Sequence, residues 1–527
     1  RYPSAEDSVN SPPIGTVSRE MSVQCYGMRD RVAGAVGALS ALAAAELVAG
    51  LVAGVPSLVE AVGGWVIDVV PPAIKDLAIR IFGTADKPAL LAGIIVVAAL
   101  LGGLVVGPVA RRSRGAAALV FGLFGVAGAL AAAREPGTEV PMPLLAGLVA
   151  AGAGWWVTVQ LLERAAEPTD EGRRAFLRAA SAVLVLGAAS ALVGRNLLER
   201  TKRVLAGRGD VILPEPASAA PPVPPNASLP VPGVSPIITP NRDFYRIDTA
   251  LSTPRVDIAT WTLRIEGNVA EPFEITYPEL LDMPMIERRI TIACVSNQVG
   301  GDLVGTATWM GVPLRELLDR ARPGPGAEQV VGRSVDDFTV GFPLEAVYDG
   351  REALVAVGMN GEPLPFEHGF PARLVVAGLY GYVSATKWLS SIELRTWDGF
   401  DAYWIPRGWA KEAPIKTQSR IDTPRHNARL APQRRAVAGV AWAPTRGISK
   451  VEVQIDDGPW REAVLSEPLS ENTWRQWMIE WDPTPGTHVL RVRATDGDGV
   501  LQDGELRPPA PDGATGWHTI SVRVEEA

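Results

Sequence analysis

Five apolar stretches crowd into the first two fifths of this chain, near residues 32–54, 89–110, 115–133, 142–162 and 176–196. Each has roughly the twenty residues that carry an α-helix across ~30 Å of hydrocarbon. Backbone in hydrocarbon must satisfy its own N–H and C=O groups, so stretches of this kind are helices. The residues after about 210 read as an ordinary soluble protein. With 527 residues the chain is too long for one core. The expected fold class is therefore multi-domain, with an N-terminal α-helical membrane bundle of about five spans ahead of soluble domains.

The ends and breaks of this half carry further expectations. The sequence opens on Arg1 and not on Met, and residues 1–28 read as a tail outside the fold, with an upstream extension or a misplaced start expected. Residues 29–200 are the expected membrane domain. Residues 56–87 are apolar but broken by Pro56, Pro71 and Pro72 and charged at Asp68, Lys75, Asp76 and Arg80, which suggests an interfacial or re-entrant segment. Glu46 is a carboxylate inside the first span. Such a group is a functional candidate, or it faces another helix or a polar cavity.

Basic residues set the orientation. Arg29 and Arg31 precede the first span, Arg111, Arg112 and Arg114 separate the second and third, and Arg164, Arg173, Arg174 and Arg178 separate the fourth and fifth. This favours a cytoplasmic N-terminus and puts the C-terminal half outside. The basic run after the fifth span argues the other way. Residues 173–178, Arg-Arg-Ala-Phe-Leu-Arg ahead of an apolar run, resemble a twin-arginine export signal, or else form a basic cytoplasmic loop. Both readings expect a multi-pass cell-membrane protein with an extracytoplasmic soluble half.

Residues 201–236 are Pro-rich and read as an extended linker. From 237 to about 425 short alternating runs mix with helical ones, an α+β pattern. Strands are expected at 261–267 and 288–294, and helices at 277–282, with Pro278 in the first turn, and at 313–320. From 426 to 527 the pattern is all-β, with strand-like runs at 435–442, 449–456 and 488–495, and suggests an immunoglobulin-like sandwich. Asp496–Asp498 fits a hairpin turn better than a calcium loop.

The chain has two cysteines, Cys25 and Cys294, which excludes a disulfide framework. If the membrane separates them they cannot pair. Cys294 is then either a buried core residue or a thiol with a job. No histidine lies in any span and no Cys-x-x-Cys-His occurs, so no haem is expected in this chain. A formal net charge of −8 gives no footprint for nucleic acid.

The surroundings of Cys294 decide between its readings. The text runs Thr291-Ile-Ala-Cys-Val-Ser-Asn297-Gln298, then Trp309-Met-Gly-Val-Pro-Leu314, then His368-Gly-Phe-Pro-Ala-Arg373, then Ser384-Ala-Thr-Lys387-Trp-Leu389. In this order the motifs resemble the sulfite oxidase family of molybdopterin enzymes, membrane-anchored bacterial type, over about 240–420. The resemblance implies an α+β molybdopterin domain at 237–425 followed by a dimerisation-type domain at 426–527. It also implies a molybdenum–molybdopterin cofactor held by the Cys294 thiolate. A soft thiolate suits molybdenum, and the metal keeps the thiol deprotonated.

On the same resemblance, Asn241, Phe244, Tyr245, Arg246, Asn297, His368, Arg373, Ser384, Ala385, Thr386 and Lys387 are the expected cofactor contacts, the cationic ones suited to the pterin phosphate. Arg246 and Tyr403 join Cys294 as expected catalytic residues, Arg246 facing the substrate. Trp404 and Trp409 wall the pocket or belong to the core. Gln298 and Val299 stand where animal-type sulfite oxidases carry arginines. That leaves room for a sulfur oxyanion, a sulfoxide or a related oxide as the small-molecule substrate. A separate cytochrome or quinone is the expected electron carrier, the membrane is a partner, and a homodimer through the C-terminal domain is the expected assembly. The competing expectation is a non-enzymatic, membrane-tethered sandwich module that binds a partner or ligand.

Overall fold

The computed structural model describes residues 14–52, 54–71, 74, 77–78, 81–82, 85–134, 141–167 and 169–526, the side chains of 14–26, Asp68 and 202–205 excepted. Part of the expected tail, the side chain of Cys25 and most of 72–84 lie outside the described residues. The chain divides into two compact units, Arg1–Arg203 and Val204–Ala527.

The first unit is helical: α1 (Ile14–Leu51), α2 (Leu58–Val69), α3 (Asp86–Leu101), α4 (Arg114–Ala132), α5 (Pro141–Ala165) and α6 (Asp170–Leu205). Helix α1 begins inside the expected tail. Helix α3 runs on through one wide turn, Gly102–Val106, to Arg112. Five of these helices are long and apolar enough to cross a membrane: Gly27–Leu51, Asp86–Arg112, Arg114–Ala132, Pro141–Ala165 and Asp170–Thr201. They match the five stretches read from the sequence.

Small residues let the helices approach closely. A Cβ on Gly34 would lie 2.1 Å from the carbonyl oxygen of Gly102, and one on Gly50 would lie 2.1 Å from that of Gly194. The outward faces stay apolar: Val96, Leu104, Leu119, Leu123, Leu148 and Leu186 are all exposed. Glu46 faces another helix: its carboxylate accepts the Ser57 hydroxyl (2.6 Å) at the start of α2, so it has a structural partner. Glu60 on α2 pairs with Arg195 on α6 at 3.1 Å.

The second unit opens on the Pro-rich segment, which is extended but not free. Ala217 N–H donates to Met285 O (2.7 Å) and Glu287 N–H to Ser218 O (2.8 Å), so the segment adds to the edge of the strand at Ile286. Leu229 N–H reaches the Gln476 side chain at 2.6 Å. Proline suits such an edge because it has no N–H to leave unpaired.

Two sheets follow. In one, β3 (Ile286–Ala293), β4 (Val304–Pro313), β7 (Ala353–Met359) and β8 (Glu362–Pro363) lie in that order, with β9 (Arg373–Val376) also on β7. The other has β1 (Thr262–Gly267) between β2 (Phe273–Thr276) and β10 (Leu389–Arg395), then β5 (Gln329–Ser334) and β6 (Thr339–Pro343). Helix α7 (Tyr277–Leu281) starts on a capping box between Thr276 and Glu279, with Pro278 in its first turn. Helix α8 (Leu314–Ala321) buries Leu314, Leu317, Leu318 and Ala321 on one face. All four elements expected for this region are present within about two residues.

The C-terminal region is β-rich. One sheet orders β11 (Gln418–Thr423), β13 (Arg435–Trp442), β17 (Arg475–Trp481) and β16 (Val464–Leu465). The other orders β12 (Arg429–Leu430), β19 (His518–Val524), β18 (Gly486–Asp496), β14 (Ile448–Ile455) and β15 (Arg461–Glu462). Inward residues of both, among them Val437, Trp477, Val453 and Val492, share one core. Trp442 and Trp474 join the larger core of the preceding α+β region, so the two regions are continuous.

Candidate active site around Cys294

Strands β3 and β4 form a hairpin whose last pair is Ala293 with Val304. Cys294 is the first residue beyond the strand. Its N–H donates to Leu303 O (2.9 Å), which closes the base of the loop 294–303. Asn297 braces that loop: its Oδ1 accepts the Leu303 N–H at 2.9 Å. From the C-terminal region, Arg420 donates to Gly301 O (2.7 Å). Gly300 has φ +78, and a Cβ there would lie 2.2 Å from the His518 ring, so this turn needs glycine on both counts. The loop is thus fixed at its base, middle and tip.

Cys294 is 8% exposed. Burial pushes its thiol up, while the Ser296 hydroxyl (2.9 Å from Sγ) and the charge of Lys387 pull it down. The Cys294 charge in turn raises the hydroxyls of Tyr245 and Tyr380, each of which burial raises first. Tyr380 is pushed up to about 12.

His368 and Arg373 lie on the turn entering β9. The His368 ring is held edge-on by Phe244, with centroids 5.5 Å apart, and its Nε2 is 2.9 Å from Asn241 O. A carbonyl can only accept, so Nε2 carries the proton and Nδ1 of the neutral ring is a bare acceptor. Burial lowers this imidazole to about 4. Its Nδ1 is buried without a partner, and so is the Thr386 hydroxyl. Arg373, 3% exposed, donates to His368 O (3.1 Å) and lies 4.9 Å from the Trp309 ring centroid. Burial lowers it to about 10, and the Tyr245 hydroxyl counters that.

Asn241 supports this turn from below. Its Nδ2 reaches Glu362 (2.6 Å) and Met359 O (3.2 Å), and its Oδ1 accepts from Asn360 (2.7 Å). Phe244 stacks on Tyr245 and meets Trp309 edge-on.

Lys387 and Arg246 converge on one carboxylate that the motifs did not flag. Asp248 Oδ2 is 3.1 Å from Lys387 Nζ and 3.0 Å from Arg246 Nε. Lys387 also donates to Glu367 O at 3.0 Å. Burial lowers its ammonium to about 8, with Asp248 opposing. Arg246 also donates to Thr253 (2.9 Å), and its side chain is 41% exposed.

Three expectations change on this geometry. The Ser384 hydroxyl is committed to Tyr380 O (3.0 Å) and Leu379 O (3.2 Å), and the Ala385 N–H to Gly381 O (2.9 Å). The short helix α9 (Gly381–Ser384) consumes these donors, so of this trio Thr386 offers the unspent group. Tyr403 joins a separate aromatic cluster with Phe338 (5.5 Å), Trp404 (5.1 Å) and the Arg407 guanidinium (3.7 Å). The tyrosines that sense the Cys294 charge are Tyr245 and Tyr380. Trp404 and Trp409 are partly buried against the core, with Trp409 5.7 Å from Tyr382.

Residues 250–404 match the oxidoreductase molybdopterin-binding domain family. Mitochondrial sulfite oxidase of Mus musculus is 27% identical over 339 residues, covering 54% of this chain and 62% of its own length. The matched region is similar to the sulfite oxidase family of molybdenum-dependent oxidoreductases. NADPH nitrate reductase of Fusarium oxysporum is 29% identical over 261 residues, covering 40% of this chain and 29% of the reductase. The crystal structure of the sulfane dehydrogenase SoxCD from Paracoccus pantotrophus aligns at 23% identity and a TM-score of 0.49, over 58% of this chain and 89% of that one. The family match falls on the second unit, and the chain spans about three fifths of the length of the sulfite oxidases it matches. Cys294, His368 and Lys387 all lie within the matched residues.

Proposed function

We propose that this chain catalyses oxygen-atom transfer at molybdenum held by the Cys294 thiolate. The observation that carries the reading is the company Cys294 keeps. The buried thiol lies in the field of Lys387, Tyr245 senses both that thiol and the buried Arg373, and His368, whose Nδ1 is unpartnered, senses Arg373 and Lys387. The unpartnered Thr386 hydroxyl directly precedes Lys387 in the chain. Orphaned buried polar atoms are costly, and a phosphate-ended pterin supplies an acceptor for the Thr386 hydroxyl and, once the ring is protonated, for His368 Nδ1. The residues therefore fit the cofactor.

In this reading Arg373 and Thr386 donate to the phosphate, and His368 joins them by taking up a proton at Nδ1. Lys387 adds its charge, and Asn241, Phe244 and Tyr245 hold the His368 ring and the floor of the pocket. Asn297 keeps the loop of Cys294 in shape. When bound, the group supplies two-electron redox chemistry that moves an oxygen atom. The balanced change is substrate plus water giving the oxide, two protons and two electrons, or its reverse. A separate cytochrome or a quinone carries those electrons, and no haem is needed in this chain. A non-enzymatic tethered module would have no use for a metal-grade thiol beside unpaired anion donors.

The rest of the proposal concerns placement. The apolar helices anchor the chain in a membrane with the N-terminus cytoplasmic and the catalytic region outside. Their exposed apolar faces support this reading. The two C-terminal sheets around one core support an immunoglobulin-like sandwich at 426–527, suited to homodimer contact. Assays of purified full-length chain for sulfite oxidation and for sulfoxide reduction, each with a dye as electron partner, test the activity. Turnover in either direction is the expected result. Failure in both, with molybdenum present, would rule out these oxides as substrates.

Lys387 adds a pH dependence. Its folded value of about 8 lies below the ordinary 10.5, so its charge is lost as pH rises through 8. Rebinding of the cofactor by stripped protein is expected to weaken above about pH 8, and Lys387→Arg to remove that dependence. The folded chain binds fewer protons at this group than the unfolded one between these values. Its contribution to stability therefore rises with pH across that window. Cofactor titrations and melts between pH 7 and about 10 check both signs.

A further inference from the structure

Cations around the site come with their own carboxylates. Arg246 and Lys387 share Asp248, Arg420 pairs with Asp422 at 2.6 Å, and Lys416 pairs with Asp512 at 2.9 Å. Arg373 differs. Among the described residues no carboxylate pairs with it, and its partners are the carbonyls of His368 and Leu374. Arg373 thus keeps a full charge for an anion, and the proposed pterin phosphate uses it. Two cations on one carboxylate leave a single net positive charge against a doubly charged substrate, and the neutral Gln298 and Val299 in the loop after Cys294 add none.

We infer that Asp248 is a specificity-determining residue, which offsets one of the two charges of Arg246 and Lys387 and so favours uncharged sulfur or nitrogen oxides over dianions. This rests on the oxygen-transfer reading of the Cys294 site. The geometry suits the role. The Asp248 side chain is 5% exposed, whereas that of Arg246 is 41% exposed, so the carboxylate sits beneath the guanidinium and faces away from solvent. It touches Lys387 and Arg246, and acts on substrate through the two cations. Anions approaching Arg246 therefore meet a cluster with half of its positive charge offset.

The test uses the isosteric Asp248→Asn in the full-length, cofactor-loaded chain, with sulfate as the dianion probe and dimethyl sulfoxide as the uncharged one. Sulfate binding by calorimetry is expected to tighten about tenfold and the KM for sulfite to fall by a similar factor. The KM for dimethyl sulfoxide is expected to stay within about twofold. Arg246→Gln is expected to shift sulfate the opposite way, because Asp248 then offsets the one cation that remains. Unchanged sulfate affinity with molybdenum retained would overturn the inference. So would loss of molybdenum from Asp248→Asn, which would make Asp248 a support for Lys387 in holding the cofactor. Sulfate is also titrated into the cofactor-free chain, where Asp248→Asn should tighten binding too. A wild-type chain that never takes up molybdenum would sink the oxygen-transfer reading, while this second titration would still decide the charge argument.

Discussion

Replacing Cys294 by serine is expected to lower turnover by at least about a thousandfold while most of the pterin stays bound. The two effects separate because different groups carry them. The thiolate is a soft ligand that a metal keeps deprotonated at neutral pH, and a serine hydroxyl is far too weak an acid to replace it. The phosphate donors Arg373, Thr386 and Lys387 come from elements that the substitution does not touch. The loop itself should survive, since its shape rests on the Cys294 N–H, Asn297 and Arg420 and not on the sulfur. A melting temperature within a few degrees of wild type, corresponding to about 1 kcal/mol or less, is the accompanying expectation. Steady-state rates, pterin fluorescence after oxidative release and a thermal melt measure the three quantities. Surviving turnover would remove Cys294 from the metal.

Arg373→Gln is expected to cost the cofactor about 2–4 kcal/mol of affinity, a loss of roughly thirtyfold to a thousandfold. Arg373 is buried, bears no paired carboxylate and is already lowered to about 10 by desolvation. Such a cation is expensive to keep without an anion. The apoprotein carrying Arg373→Gln is therefore expected to melt at or above the wild-type temperature, whereas the loaded protein should melt lower. A purely structural arginine, holding the turn through His368 O, would lower both. Arg373→Lys should fall between, because an ammonium cannot reproduce the planar fork. Cofactor titration and paired melts of apo and loaded protein distinguish the two roles.

Local pattern carried most of the fold. The five long apolar helices needed only run length, and the strands around Cys294 needed only alternation and the glycines that end them. Cys294 itself was legible because β3 runs into it and the motifs that follow keep their order. Features that depend on distant pairs were not legible. Asp248 meets Lys387 across 139 residues, and no motif joins them. His518, on β19, meets Gly300 from the far end of the same unit. Tyr380, just ahead of the Ser384–Leu389 motif, carries no sequence signal, because its link to Cys294 is a matter of burial and field, not of spacing. Ser384 and Ala385 looked like donors in the sequence, but a four-residue helix spends them internally. The Pro-rich stretch was correctly read as extended. Its docking on the edge of β3 depends on edge groups that composition does not reveal.

The central claim is that Cys294 holds molybdenum, and X-ray absorption at the molybdenum edge tests it most directly. Full-length wild-type chain from a cofactor-competent host should carry about one molybdenum per chain, and Cys294→Ser should lose one sulfur from the metal shell while keeping the rest. An unchanged sulfur shell in Cys294→Ser, or wild-type protein without molybdenum, would contradict the account.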